Sequence, residues 1–173
     1  MQKILFVCLG NICRSPTAHG VFEAKVANGR MAENILVDSC GTGDWHIGHP
    51  PDERAQRAAK TAGYDLSTLR ARQFTSGDLK SFDWVFAMDR NNLRDIDNGR
   101  TASSTAETRL FLEYAFEELQ DSDNEQWHTQ YNFAKAHSFE VPDPYYGGAS
   151  GFKDVIDVIE VASDLILRRL AGL

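Results

Sequence analysis

Cysteine is scarce, with three in a chain of 173 residues. With no long apolar span and no secretory leader, so few cysteines point to a reducing cytoplasm. Cys8 and Cys13 lack zinc-ligand spacing and no second pair follows. His19, His46, His49, His128 and His137 form no metal motif and read as surface or core residues. No internal repeat or low-complexity linker breaks the chain, and no Gly-x4-Gly-Lys-[Ser/Thr] run occurs, which excludes a nucleotide P-loop. Basic residues are outnumbered, 18 against 25 acidic, for a formal charge of −7. That balance argues against nucleic acid or an anionic membrane as partner. Capture of an anion would have to rest on local groups, because distant charges are screened beyond about 8 Å.

The chain is long enough for one domain with a substantial core. Its first legible unit is the apolar run Lys3-Ile4-Leu5-Phe6-Val7, bounded like a buried parallel strand. Cys8-Leu9-Gly10-Asn11-Ile12-Cys13-Arg14-Ser15 follows as a loop. Ser15 reads as a helix N-cap with Pro16 at the first helical position, and Ala18, Val21, Phe22 and Val26 recur at helical spacing behind it. Inward backbone N–H groups and a helix N-terminus make such a loop a cradle for a tetrahedral dianion.

Two side chains would make the cradle reactive. A thiol at Cys8, among convergent amides and near a guanidinium, is favoured as the nucleophilic thiolate. Arg14 can grip two phosphate oxygens side by side, which a lysine cannot. Attack of Cys8 on phosphorus, giving a phosphocysteine, is the chemistry these residues suggest. The bland alternative is an inert buried Cys8 with Arg14 on the surface.

Further along, Ile35-Leu36-Val37 reads as a second strand ending in Asp38-Ser39-Cys40-Gly41. Ser39 sits where open α/β sheets gather functional groups, though a plain turn residue fits as well. A loop rich in turn formers carries Trp45, either a wall of a site or a core residue, and Pro51-Asp52 opens a helix stopped by Gly63. Asp83-Trp84-Val85-Phe86-Ala87-Met88 is a third strand, with Asp89 as N-cap of the next helix. Arg109-Leu110-Phe111-Leu112 suits a fourth strand or a helix running through Phe116. An acidic segment at about 117–141 contains no motif residue and reads as a solvated excursion or a docking element, with Trp127, Tyr131 and Phe133 on a short amphipathic helix. Proline on both sides of Asp143 fixes where its carboxyl points, and Tyr145 and Tyr146 offer ring faces beside it. Ser150 caps a last helix whose Phe152, Val155, Ile156, Ile159, Ala162, Ile166 and Leu170 form one apolar stripe. Strands alternating with helices imply a parallel sheet covered on both faces.

Val7-Cys8-Leu9-Gly10-Asn11-Ile12-Cys13-Arg14-Ser15-Pro16 resembles the active-site loop of the low-molecular-weight protein tyrosine phosphatases, and Asp143-Pro144-Tyr145-Tyr146 resembles their general-acid loop. The likeness covers most of residues 1–173, taken as a single phosphatase domain. It implies a doubly wound, four-stranded, flavodoxin-like α/β fold and hydrolysis of phosphotyrosine or other aryl phosphate monoesters without metal or organic cofactor. By the same resemblance Cys8 is the nucleophile, Arg14 the phosphate clamp and Asp143 the general acid. Leu9, Gly10, Asn11, Ile12, Cys13 and Ser15 surround the phosphate, Trp45, Tyr145 and Tyr146 line the mouth, and Asn11, Ser15 and Ser39 support the loop. Many members carry a histidine where Leu69 falls, so that part of the support is missing or comes from elsewhere. A protein phosphotyrosine or a small aryl phosphate is the implied partner, and self-association into a weak homodimer stays open. Cys13, also a family position, either resolves an oxidised Cys8 as a disulfide or merely packs beneath the loop. Two rivals remain: a thiol-dependent arsenate reductase, disfavoured because no cysteine follows Cys40, and a phosphate-binding module without turnover.

Overall fold

The computed structural model describes residues 1–29, 34–119 and 124–172. Four parallel strands, β1 (Gln2–Cys8), β2 (Ile35–Gly41), β3 (Trp84–Ala87) and β4 (Glu107–Leu110), form one sheet in the order β2-β1-β3-β4. The helices are α1 (Arg14–Asn28), α2 (Glu53–Thr61), α3 (Asp78–Ser81), α4 (Arg90–Asn98), α5 (Phe111–Phe116), α6 (Glu125–Ala136) and α7 (Ala149–Leu170). No helix among the described residues is long and apolar enough to cross a membrane.

The strand alternation of β1 sorts the core into two layers. Ile4 and Phe6 join Phe22 and Val21 of α1, Phe111 of α5, and Val155, Ile159 and Ala162 of α7 on one face. Leu5 and Val7 meet Leu79 of α3 and Ile96 of α4 on the other. The parallel sheet covered on both faces that the alternation of elements predicts is thus found, in the four-stranded, doubly wound form that the family resemblance implies. Because β1 lies between β2 and β3, the loop after Cys8 sits flanked by the loops that leave those two strands. This is where an open parallel sheet collects a site.

Two cap assignments are corrected. Helix α1 begins at Arg14 with Cys13 as N-cap and no capping side chain, so Ser15 lies inside the first turn with its hydroxyl engaged elsewhere. Pro16 is tolerated there because first-turn N–H groups have no intrahelical acceptor. Likewise α7 begins at Ala149 after Gly148, which places Ser150 within the helix. Asp52 and Asp89 do cap α2 and α4, accepting the N–H groups of Arg54 and Asn92. Gly63, just past α2, takes a left-handed φ of +95°. The ambiguous stretch at Arg109 is both things in turn: β4 ends at Leu110 and α5 starts at Phe111.

The segment at 117–141 is not a solvated excursion throughout. Asp121 and Asp123 lie outside the described residues, but α6 lays Trp127, Tyr131 and Phe133 half-buried against the core, with Ala134 fully enclosed. The Tyr131 ring meets Phe116 at 6.0 Å and Phe139 at 5.7 Å. Aromatics spaced along one helix here serve the protein's own core. Tyr131→Ala is therefore expected to cost roughly 1–3 kcal/mol, below the range for a fully buried aromatic. Urea denaturation should show it, with turnover of a small aryl phosphate unchanged below the transition.

Candidate active site

The eight-residue stretch from Cys8 to Ser15 turns back over the C-terminal end of β1. Its sharpest bend is at Asn11, whose φ of +53° is left-handed, a region asparagine tolerates better than most side chains. Three hydrogen bonds hold it there. Asn11 Nδ2 donates to Ser15 Oγ at 2.9 Å and to Ser39 Oγ at 3.0 Å, and Oδ1 accepts the Arg72 N–H at 3.0 Å. The bend aims the Asn11 N–H at Cys8 Sγ, 3.2 Å away. Ser15 Oγ lies 3.0 Å from the same sulfur and 3.2 Å from the Cys40 carbonyl, and its one proton can go to either. A thiolate at Cys8 would thus find an N–H and a hydroxyl in reach, at the N-terminal end of α1.

Close backbone approach is a condition of this geometry. A Cβ on Gly41, at the end of β2, would stand 2.7 Å from the Leu9 carbonyl oxygen and 3.0 Å from the Asn11 nitrogen. Only glycine lets the loop lie down on β2.

Arg14 is buried, and two segments converge on its guanidinium. Nη1 donates to Asp89 Oδ2 at 2.6 Å and to the Val141 carbonyl at 3.2 Å, and Nη2 reaches Asp143 Oδ2 at 3.4 Å. Burial opposes the charge, but Cys8, Asp89 and Asp143 together outweigh it and push the pKa of Arg14 up. Asp89 is itself held by the Asn92 N–H at 2.7 Å and, with the Asn92 amide nitrogen turned toward it, by two further bonds of 3.1 Å. Sequence reasoning saw Asp89 as a helix cap, in a turn that the family resemblance puts near the edge of the site. Its second task, fixing Arg14 from 75 residues away, had no local signal.

Asp143 is partly exposed and faces the same pocket as Cys8. Its Oδ1 accepts the Tyr145 N–H at 3.0 Å. Arg54, locked to Asp52 by bonds of 3.0 and 2.8 Å, donates to the Tyr145 carbonyl at 2.9 Å and lies 5.0 Å from the centre of that ring. The N-terminus of α2 thereby ties down the chain just past Asp143.

These groups enclose a pocket of about 310 Å³ lined by Cys8, Leu9, Gly10, Ile12, Cys13 and Arg14 below and by Trp45, His46, Asp143, Tyr145 and Tyr146 around the mouth. Trp45 is at this rim and 68 % exposed, not in the core. Its indole lies over Gly43, where a Cβ would come within 2.0 Å of the ring. Asn11, Ser15 and Ser39 do not line the pocket but stand behind the loop, and His46, which the motif reading left out, does line it. Cys13 packs against Ala55 and Phe152, and burial pushes its thiol up to about 12. Burial also raises Cys40. Among the described residues no group of three or more His, Cys, Asp or Glu side chains is placed to hold a metal.

Two outcomes follow from this geometry. Asp89→Ala would leave the Arg14 charge buried beside Cys8 without its main partner, costing roughly 3–5 kcal/mol in urea unfolding and raising KM for an aryl phosphate. Iodoacetate at neutral pH should modify Cys8 before Cys13 or Cys40, as peptide mass mapping would show, since the latter two remain protonated thiols.

Residues 3–172 match the family model described as low molecular weight phosphotyrosine protein phosphatase. A low molecular weight phosphotyrosine protein phosphatase of Schizosaccharomyces pombe is 42 % identical over 88 % of this chain and 86 % of its own length. The low molecular weight protein-tyrosine-phosphatase YfkJ of Bacillus subtilis is 35 % identical over 96 % of this chain and 94 % of its own. Among solved structures, the protein tyrosine phosphatase of Entamoeba histolytica, crystallised with Hepes in its active site, superposes with a TM-score of 0.82 at 32 % identity, covering 99 % of this chain and 98 % of that one. The four-stranded parallel fold and the sequence agree, and the chain belongs to the low molecular weight phosphotyrosine protein phosphatase family.

Proposed function

We propose that this phosphatase hydrolyses phosphotyrosine in proteins, and small aryl phosphates, through a phosphocysteine on Cys8. The observation that carries this reading is the convergence of Cys8 Sγ, the Arg14 guanidinium and the Asp143 carboxyl on one pocket, from two distant parts of the chain, the Cys8–Arg14 loop and the stretch before α7. The thiolate of Cys8 attacks phosphorus and the P–O bond to the phenol breaks. Asp143 gives its proton to the departing oxygen as negative charge develops there. Loop amides and the guanidinium hold the equatorial oxygens of the transition state, the task for which a preorganised, partly enclosed set of donors is suited. Water then attacks the phosphocysteine, Asp143 takes the water's proton, and the S–P bond breaks to return the thiolate and release inorganic phosphate.

Trp45 and Tyr145 present ring faces at the rim and Ile12 an apolar side chain beneath, an environment that favours an aryl ester over a charged alkyl one. The Asp143 contact to Arg14 is long, so a phosphoryl group taking the guanidinium edge competes with a weak bond and leaves the carboxyl free to face the leaving oxygen. The same reading makes residues 1–173 one phosphatase domain, working in the cytoplasm on phosphotyrosine proteins. An arsenate reductase reading is weakened by the position of the remaining thiols: Cys40 is fully buried and no cysteine follows it.

Release of inorganic phosphate from an aryl phosphate, unaffected by chelator, tests the reaction class. Cys8→Ser should abolish turnover while retaining oxyanion binding, and Arg14→Ala should lose both. Substantial hydrolysis by Cys8→Ser would end the covalent mechanism. Asp143→Ala should lower kcat by about 10²–10⁴ for phenols that leave poorly, and by much less for nitrophenyl esters, whose oxygen scarcely needs a proton. Equal losses across leaving groups would remove Asp143 from the acid role.

A further inference from the structure

Behind the Cys8 loop the hydrogen bonds do not stop at Ser39. His19, in the second turn of α1, is buried to 7 % exposure and places Nδ1 3.2 Å from Ser39 Oγ. The contacts therefore run His19, Ser39, Asn11, Ser15 and Cys8 without a gap. Ser39 Oγ already accepts from Asn11 Nδ2, a donor that cannot reverse. Its own hydroxyl proton needs an acceptor, and the ring nitrogen of His19 is within reach. Leu69, where the resemblance places the family's histidine, instead packs with the apolar group of Ala59, Leu66 and Ile156.

We propose that His19 is a positioning residue for the reaction: its neutral imidazole accepts the Ser39 hydroxyl at Nδ1 and so locks Ser39, Asn11 and the Cys8 loop into the arrangement that presents the nucleophile. The inference rests on the reading of Cys8 as nucleophile. With Nδ1 accepting, the ring proton sits on Nε2, which lies 3.9 Å from Glu23 Oε1. Were the ring protonated, Nδ1 would become a donor, Ser39 would face two donors, and its hydroxyl would have to turn away or Asn11 would lose its anchor. The left-handed bend at Asn11, and with it the N–H on Cys8 Sγ, would then be held by fewer bonds.

The surroundings keep the imidazole neutral. Burial lowers its pKa, Arg72 adds to this, and Glu23 on α1 and Asp38 on β2 pull the other way without reversing it. The sign is that of a base buried neutral. Its contribution to stability is intact above the free value of 6.5 and declines below it, as the unfolded chain takes a proton the folded one refuses.

Three measurements test the proposal. In nitrogen-15 spectra of the unsubstituted protein at pH 7, His19 should be the neutral Nε2–H tautomer; an Nδ1–H tautomer or an imidazolium would overturn it. His19→Leu should lower kcat for a small aryl phosphate by about tenfold, the scale set by one unsatisfied buried polar group, with KM changed by less than about threefold. His19→Asn, whose Oδ1 can stand near Nδ1 and accept from Ser39, should recover most of that loss and flatten the acid limb of the kcat profile. Equal impairment in both variants would reduce His19 to a packing residue, and unchanged kcat in both would remove it altogether. The tautomer and the His19→Asn kinetics remain decisive where His19→Leu does not fold. Turnover by Cys8→Ser would fault the nucleophile assignment instead, which separates the two failures.

Discussion

The left-handed backbone at Asn11 is the constraint on which the site depends. A non-glycine residue in that region costs on the order of 1 kcal/mol and persists where its surroundings over-determine it. Here both hydrogens of the Asn11 amide nitrogen and its oxygen are spent on Ser15, Ser39 and the backbone of Arg72. Those partners come from α1, β2 and the strand-like segment that bridges to Gly41 at Gln73. The bend thus exists only when three parts of the chain have already assembled. It converts a sheet edge into a concave loop, and Gly41 supplies the missing side chain that lets the loop settle onto β2.

Arg14 applies the same logic to charge. Its guanidinium is buried next to a thiol, a placement that would be costly without anions to meet it. Asp89 provides the short bond and, as cap of α4, is fixed at the C-terminal end of β3 by hydrogen bonds of its own. Val141 and Asp143 arrive from the stretch between α6 and α7. One cation therefore binds the end of β3 and the Asp143 loop to the start of α1. In a protein of net charge −7, Arg14 is the kind of local, well-anchored positive group that the proposed capture of a phosphate dianion requires.

The helix that covers the sheet on the α1 side links stability to this edge. Phe152, in the first turn of α7, packs against Cys13 and Ala55 and lies 5.0 Å from the Arg54 guanidinium that holds the Tyr145 carbonyl. Farther along, Arg169 stacks on Tyr114 at 4.1 Å and pairs with Glu117 and Glu118, tying α7 to the end of α5. Val155, Ile159, Ala162 and Ile166 of α7 and the half-buried aromatics of α6 share one core cluster, while Phe152 and Ile156 join smaller ones beside it. Through α6 the acidic segment thus contributes apolar packing as well as surface charge.

What the sequence determined by itself is whatever is written contiguously. The run Ile4 to Val7, the loop from Cys8 to Arg14, the proline-flanked Asp143 and the helical stripe of α7 are each legible because the physics behind them acts over a few residues: alternation, turn chemistry, proline geometry, helical period. Caps were less secure. Ser15 and Ser150 have the right type for an N-cap, yet a hydroxyl goes to the best partner that folding provides, and for Ser15 that is Asn11, Cys40 and Cys8. Tertiary structure alone decided the contacts between segments far apart: Asp89 on Arg14, Arg72 on Asn11, His46 at the pocket rim, α6 against the core, and His19 behind Ser39. None of these leaves a local pattern, because a buried polar group constrains its partner's chemistry and position in space but not its distance along the chain.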